Sequence, residues 1–174
     1  MRRFIRCAIF NNNAKIIVSK KRNQNYKMTV NFEIKSSNML SMEELKECVA
    51  LLEQYFELPH LSQDQLNSIS MARTLWFITK NNDTIIGIAT LTPDKEDNLK
   101  NILVIPSYRN KGICSMMLKN IKLFYKKYKQ KIHKPSLTVL KNKENTQILI
   151  KLYEKNSFSI KKETNEKIFM TLIV

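Results

Sequence analysis

The sequence predicts an α/β fold, a mixed sheet covered by helices, and three observations carry that reading. Short runs with the two-residue alternation of strands recur along the chain. Two segments place helix-start signals directly before apolar residues at helical spacing. A strand–helix–strand unit spans residues 99–140. Within one sheet such a unit is a right-handed parallel crossover, and elements in this order stack as helices on a sheet.

The elements follow in order. Residues 30–34 alternate as a strand. Ser41 with Glu44 forms a capping box, Leu40 with Leu45 a hydrophobic staple, and Leu45, Cys48, Val49, Leu52 and Phe56 share one helical face. The same grammar returns at Ser62 with Gln65 and Leu61 with Leu66, so a second helix follows a break around Pro59. Residues 74–79 and 84–91 read as antiparallel strands about an Asn82-Asp83 turn. The segment 93–98 is a polar turn, and 99–105 is a strand ended by Pro106. After Gly112 comes a long amphipathic helix. Ile113, Met117, Ile121, Phe124 and Tyr128 form its buried stripe, with Lys119, Lys122, Lys126 and Lys129 mostly outside it. A short strand at 137–140 precedes a helix over Thr146–Lys155, with Asn156 suited to the left-handed cap. Strands at 157–161 and 168–174 finish the chain.

A chain of 174 residues is the size of one domain, and 43% hydrophobic residues suffice for a core. No apolar run reaches the ~18–20 residues of a membrane span, so no membrane partner is expected. Cys7, Cys48 and Cys114 are odd in number and widely spaced, which argues against a disulfide framework or a zinc site and suits a reducing cytosol. A cytoplasmic location is therefore expected. His60 and His133 lie far apart, so a His-based triad or metal cluster would need long-range convergence. No metal is expected.

The net charge of +15 admits two readings. A basic surplus suits a polyanionic partner. The abundance of Lys, Asn and Ile, with Lys far exceeding Arg, also follows from AT-rich coding sequence, and this second reading is favoured. Residues 1–27 form a separate basic zone, with no acid before Glu33. They read as a β-hairpin turning at Asn11 to Asn13, or as an Arg-rich, acid-poor presequence; the hairpin is preferred. The expected division is thus an extension at 1–27 and a folded domain at 28–174.

Gly87 and Gly112 are the two glycines of the chain. Gly112 stands between a strand and a helix, in Val104-Ile105-Pro106-Ser107-Tyr108-Arg109-Asn110-Lys111-Gly112-Ile113-Cys114-Ser115. The N–H groups of a helix start are unpaired and carry partial positive charge, so a phosphate is their natural ligand. Gly112, lacking Cβ, would let the backbone approach that ligand closely.

This segment resembles the acetyl-CoA signature of the GCN5-related N-acetyltransferase (GNAT) superfamily, Arg/Gln-x-x-Gly-x-Gly/Ala after Val-x-Pro. Arg109, Gly112 and Cys114 take its defining positions, with Cys where Gly or Ala is usual. Leu152-Tyr153-Glu154-Lys155-Asn156-Ser157-Phe158 resembles the family's Leu-Tyr-Glu-x-x-Gly-Phe, with Ser157 in place of Gly. The resemblance covers about 28–174. It implies the GNAT fold: a central, mostly antiparallel mixed sheet with one parallel strand pair, flanked by helices.

The resemblance also implies a function: transfer of an acetyl group from acetyl-CoA to a primary amine on a small molecule or protein. The amine attacks the thioester directly, with both substrates bound and no metal. Backbone amides near the end of strand 99–105 would stabilise the oxyanion. Ile102, Leu103 and Val104 would pair with the pantetheine arm. Asn110, Lys111, Gly112, Ile113, Cys114 and Ser115 would cradle the pyrophosphate beside Arg109. Asn145, preferred over Asn142, would be the cofactor-contacting Asn. Tyr153 is the candidate general acid and a cofactor contact, because a phenol of pKa about 10 still holds a proton that a thiolate of pKa about 8.5 accepts.

No Glu stands on strand 99–105, and Thr138 occupies the later strand. Glu96 and Asp97 in the preceding turn could act as base through water, but a solvated hairpin tip is preferred. Cys114 reads as an activated thiol at a helix start or as an inert space-filler facing the sheet. The alternative on the same fold is a basic nucleic-acid-binding protein or a catalytically inactive acyl-CoA sensor. Nucleic acid is the less favoured partner.

Overall fold

The computed structural model describes residues 10–19, 25–92, 97–128, 134–141 and 144–173. Among these residues the strands are β1 (Phe10–Ser19), β2 (Asn25–Ser36), β3 (Leu75–Asn81), β4 (Thr84–Thr92), β5 (Asn98–Val104), β6 (Ser136–Leu140), β7 (Phe158–Glu163) and β8 (Lys167–Leu172). The α-helices are α1 (Met42–Phe56), α2 (Gln63–Met71), α3 (Ile113–Tyr128) and α4 (Thr146–Lys155). The strand order is β1-β2-β3-β4-β5-β6-β8-β7. β5 and β6 pair in parallel through Asn98 and Ser136, as the crossover unit predicts. The β1–β2, β2–β3, β6–β8 and β7–β8 pairs are antiparallel. This is the mixed sheet with one parallel pair that the sequence predicts. The chain divides into two compact units, Met1–Thr90 with Asn101–Cys114, and Leu91–Lys100 with Ser115–Val174.

In the first unit, α1 and α2 lay Leu45, Cys48, Val49, Leu52 and Leu66 against Trp76, Ile78, Ile85, Ile88 and Leu103 of the sheet. Both helix starts are capped where expected. Ser62 and Gln65 make the full reciprocal box. At α1 only half of it forms: Ser41 Oγ accepts from the Glu44 N–H at 3.1 Å, but the Glu44 carboxylate turns to Lys35 at 2.8 Å and Lys80 at 2.7 Å. Glu33 completes that cluster, 2.9 Å from Lys35. Burial opposes the charge on Glu44, yet hydrogen bonds from Lys35 and Lys80 outweigh it and hold the carboxyl below its usual range.

The hairpin at the start of the chain differs from expectation. β1 runs through Asn11 to Asn13 and pairs with β2 from Phe10↔Ile34 to Ser19↔Asn25. The asparagines therefore continue the strand and face Glu33, Phe32 and Asn31 across the ladder. Ladder pairing with a neighbouring strand overrides their turn preference.

In the second unit, α3 buries Met117, Leu118, Ile121, Phe124 and Tyr125 and exposes Lys119, Lys126 and Lys127. The side chain of Tyr128 and all of Lys129 fall outside the described residues. α4 occupies the predicted span and buries Ile150 and Tyr153. Its C-cap departs from expectation. Asn156 has φ −102°, and the left-handed residue is Ser157 at φ 70°.

Candidate active site

Of the predicted anion loop, Arg109 to Cys114 lie in the first unit and Ser115 in the second. β5 ends at Val104, a single 3-10 turn follows over Pro106–Tyr108, and α3 begins at Ile113. Arg109 ties the loop to the strand, its Nε donating to the Val104 carbonyl at 2.9 Å. Asn110 and Gly112 are both left-handed, at φ 59° and 79°, on either side of Lys111. Alternating left- and right-handed backbone lines up successive N–H groups for an anion. A Cβ at Gly112 would meet no protein atom within 4 Å. The conformation of the chain, rather than packing against its neighbours, is what requires glycine here. Lys111 Nζ rests 4.8 Å from the centre of the Tyr108 ring, and the Tyr108 hydroxyl accepts from Asn81 at 3.0 Å. No Asp or Glu occurs between Asn98 and Lys143, so the loop carries only groups that suit an anion.

Asn101 interrupts β5. It adopts φ 53° and donates from Nδ2 to Thr90 Oγ1 at 3.1 Å. A left-handed residue inside a strand breaks the ladder locally, and here it comes directly before Ile102 to Val104.

Ile113 is buried and Cys114 half-buried at the start of α3. Burial pushes the Cys114 thiol up to about 11. The activated thiolate is thus not favoured, and the space-filling reading fits.

The remaining predicted residues lie in the second unit. Tyr153 is buried, with its ring edge-on to Phe158 at 5.9 Å between centroids. Asn145 is exposed at the N-cap of α4 and makes no side-chain cap bond. The alternative Asn142, like Glu96, lies outside the described residues. Asp97 is only 2% exposed, so it is not a solvated hairpin tip. It lies beside buried Tyr125; burial and then the Asp97 charge push that phenol far above its ordinary value. Asp97 also stands before the first residue of β5, at the opposite end of that strand from the loop.

One arrangement was not anticipated from the sequence. Buried Asn156 donates from Nδ2 to the Leu152 carbonyl at 2.8 Å and to Ser115 Oγ at 3.2 Å. Lys122 donates to Ser157 Oγ at 2.6 Å. The turn after α4 is thereby fastened to α3 by two side-chain bonds. Among the described residues, no group of three His, Cys, Asp or Glu side chains is placed to hold a metal. No described helix is long and apolar enough to cross a membrane.

A family model described as an acetyltransferase (GNAT) domain matches residues 72–160, just over half the chain. The chain belongs to the GNAT family. The match spans β3 to the start of β7 and includes the whole anion loop and Tyr153. Solved structures of GNAT proteins share the fold at low identity. An acyl-CoA N-acyltransferase from Pseudomonas aeruginosa superposes with a TM-score of 0.64 at 12% identity, covering 83% of this chain and 99% of its own. The PaiA N-acetyltransferase from Thermoplasma acidophilum, solved with coenzyme A, gives 0.59 at 18% identity over 82% and 99%. The ribosomal-protein-S18-alanine N-acetyltransferase from Escherichia coli gives 0.59 at 22% identity over 81% and 92%. No curated protein matches the sequence significantly. These structures establish a shared GNAT fold, and the family is one of acetyltransferases.

Proposed function

We infer that this GNAT protein is an N-acetyltransferase that moves an acetyl group from acetyl-CoA to a primary amine, by direct attack with both substrates bound. The observation that carries this reading is the segment from Val104 to Ser115. Left-handed Asn110 and Gly112 lead into the start of α3, and Arg109 is anchored to the strand end by Nε. The Arg109 Nη groups make no protein hydrogen bond among the described residues, so they remain able to pair with a phosphate. The donor set fits a diphosphate: backbone N–H groups, a guanidinium, the Lys111 ammonium and the Ser115 hydroxyl, with no acid in the segment.

Acetyl-CoA supplies the acyl group as a thioester. The protein's part is to bind and orient it. Asn110 to Ser115 hold the diphosphate, and backbone at Ile102, Leu103 and Val104 pairs with the pantetheine arm. Asn145, at the N-cap of α4, is a further polar contact. Tyr153 is the general acid that gives a proton to the departing thiolate. An amine that loses its proton to water needs no carboxylate base. Residues 28–174 form the catalytic domain in this reading, acting in the cytoplasm without a metal.

The acceptor is a small amine or a protein amine. Comparison with the Escherichia coli protein, named for a ribosomal protein alanine, supports including N-terminal amines in the search. The test is acetyl-CoA consumption across a panel of polyamines, amino-group metabolites, lysine peptides and peptides with free N-termini. Release of free thiol with one amine class is expected. CoA binding with no turnover on any amine would favour an acyl-CoA sensor. Salt-sensitive nucleic-acid binding without CoA binding would overturn the reading.

A further inference from the structure

Asn156 belongs to neither of the segments that the proposed function uses. It is nevertheless 5% exposed, and its side-chain nitrogen has two hydrogen-bond partners. Its two partners fix which way that amide points. The Leu152 carbonyl can only accept, so the atom facing it at 2.8 Å must be the NH2 group. The same nitrogen carries a second proton, and it lies 3.2 Å from Ser115 Oγ. Ser115 must therefore accept this bond.

A serine hydroxyl has one proton and two lone pairs. With a lone pair taken by Asn156, the Ser115 proton is left for another acceptor, and none is found among the described residues. Ser115 is the third residue of α3, within the first turn, where backbone N–H groups also lack intrahelical partners. A hydroxyl held in this way is a directed donor in the turn where an anion belongs.

The second bond strengthens the case. Lys122 lies about two helical turns beyond Ser115 on α3 and donates to Ser157 at 2.6 Å. Ser157 is left-handed at φ 70°, a conformation that costs a non-glycine residue. The serine side chain provides an acceptor that glycine would lack. The two bonds together tie the 156–157 turn to α3 at two points and keep the Asn156 amide beside Ser115.

We propose that Asn156 is a positioning residue: it accepts no ligand itself, but orients the Ser115 hydroxyl as a hydrogen-bond donor to the diphosphate of acetyl-CoA. This rests on the acetyl-CoA reading of the loop and adds a residue from the opposite end of the motif set. It also gives the Asn-Ser pair in this chain a joint role, with Ser157 clamping the turn and Asn156 directing the proton.

The test is a double-mutant cycle on CoA binding, measured by calorimetry on the full chain for wild type, Asn156→Ala, Ser115→Ala and the double variant. Ser115→Ala should weaken CoA about tenfold, the scale of one hydrogen bond to a charged group. Asn156→Ala should weaken it by a similar factor, and the double variant should lose no more than either single one. Additive losses would overturn the proposal, because Asn156 would then act by some route other than Ser115. Ser115→Ala alone also decides: it removes one oxygen from a half-buried site, so it should fold, and an unchanged CoA affinity would overturn the proposal even if Asn156→Ala failed to fold. A wild type that binds CoA but shows additivity refutes only the positioning role. A wild type that does not bind millimolar CoA refutes the acetyl-CoA reading as well.

Discussion

Gly112 separates two requirements that usually come mixed, conformation and charge. Its φ of 79° lies in the left-handed region, and a Cβ there would meet nothing within 4 Å. Gly112→Ala should therefore cost only conformational strain, about 1–2 kcal/mol. For a chain of this size, ~1 kcal/mol moves the melting temperature by about 2–4 °C, so a fall of roughly 2–8 °C is expected without ligand. Asp tolerates the left-handed region better than Ala. Gly112→Asp should thus melt closer to wild type, yet place a carboxylate where a diphosphate should bind. With acetyl-CoA at ~100 times its Kd, the wild type gains about 2.7 kcal/mol, or roughly 5–11 °C. The two variants should cross: Ala loses more stability without ligand, and Asp loses the acetyl-CoA shift. Thermal unfolding with and without acetyl-CoA reads both effects. An Ala variant melting with wild type would refute the conformational argument. An Asp variant with an undiminished shift would refute the anion site.

Tyr153→Phe should lower kcat by about 10²-fold while leaving the Kd for CoA nearly unchanged; equal turnover in steady-state assays would remove Tyr153 from proton transfer. Cys114, with its thiol pushed up to about 11 by burial, should alkylate slowly at neutral pH and faster as pH rises toward that value, read by peptide mapping; rapid labelling at pH 7 would contradict the burial. Glu44→Gln should destabilise the fold by about 1–3 kcal/mol at pH 7, by loss of two part-buried ammonium–carboxylate bonds. The Glu44 carboxyl is held low, so its contribution is full above the ordinary carboxylate pKa and disappears as pH falls through the lowered value. Lys35 and Lys80 are raised, so theirs is full below the ordinary lysine value and is lost as pH rises through the raised one. Urea unfolding should therefore show wild type and Glu44→Gln converging in acid; a constant gap down to pH 2 would refute the assignment.

Local grammar was the readable part of the fold. α4 occupies the span predicted for it, Thr146–Lys155, and α2 starts on the capping box visible at Ser62 and Gln65. Both depend on residues within a few positions of each other. Departures occur where a distant partner competes. Glu44 has the right spacing to close a box on Ser41, but Lys35 on β2 and Lys80 on β3 offer charged hydrogen bonds instead. Asn11 to Asn13 favour turns locally but meet β2 over a long antiparallel ladder. Asn156 favours the left-handed cap, yet its amide bonds Leu152 and Ser115 from an ordinary backbone conformation, and the left-handed position passes to Ser157. In each case the partner lies on another element, and pairwise spacing along the chain does not reveal it.

The candidate site divides along the same line, and Cys114 shows why. Each of the two segments that carry the family resemblance is continuous in the chain, so the loop at Arg109 to Ser115 is legible from the sequence. Its chemistry at a single atom is not. A helix start stabilises a thiolate, but the dipole is worth only about 0.3–1 kcal/mol, less than one pH unit at ~1.4 kcal/mol per unit. Burial acts in the opposite direction and takes the thiol from 9.0 to about 11. The local term has the right sign for a reactive cysteine and is too small to prevail. The same comparison applies to Ser115. Its position in the first turn makes it a candidate phosphate contact by local reasoning, but only the fold brings the Asn156 amide nitrogen within 3.2 Å of its hydroxyl. Sequence motifs thus point to the groups of this candidate site, and partners from elsewhere in the chain alter the local chemistry of each.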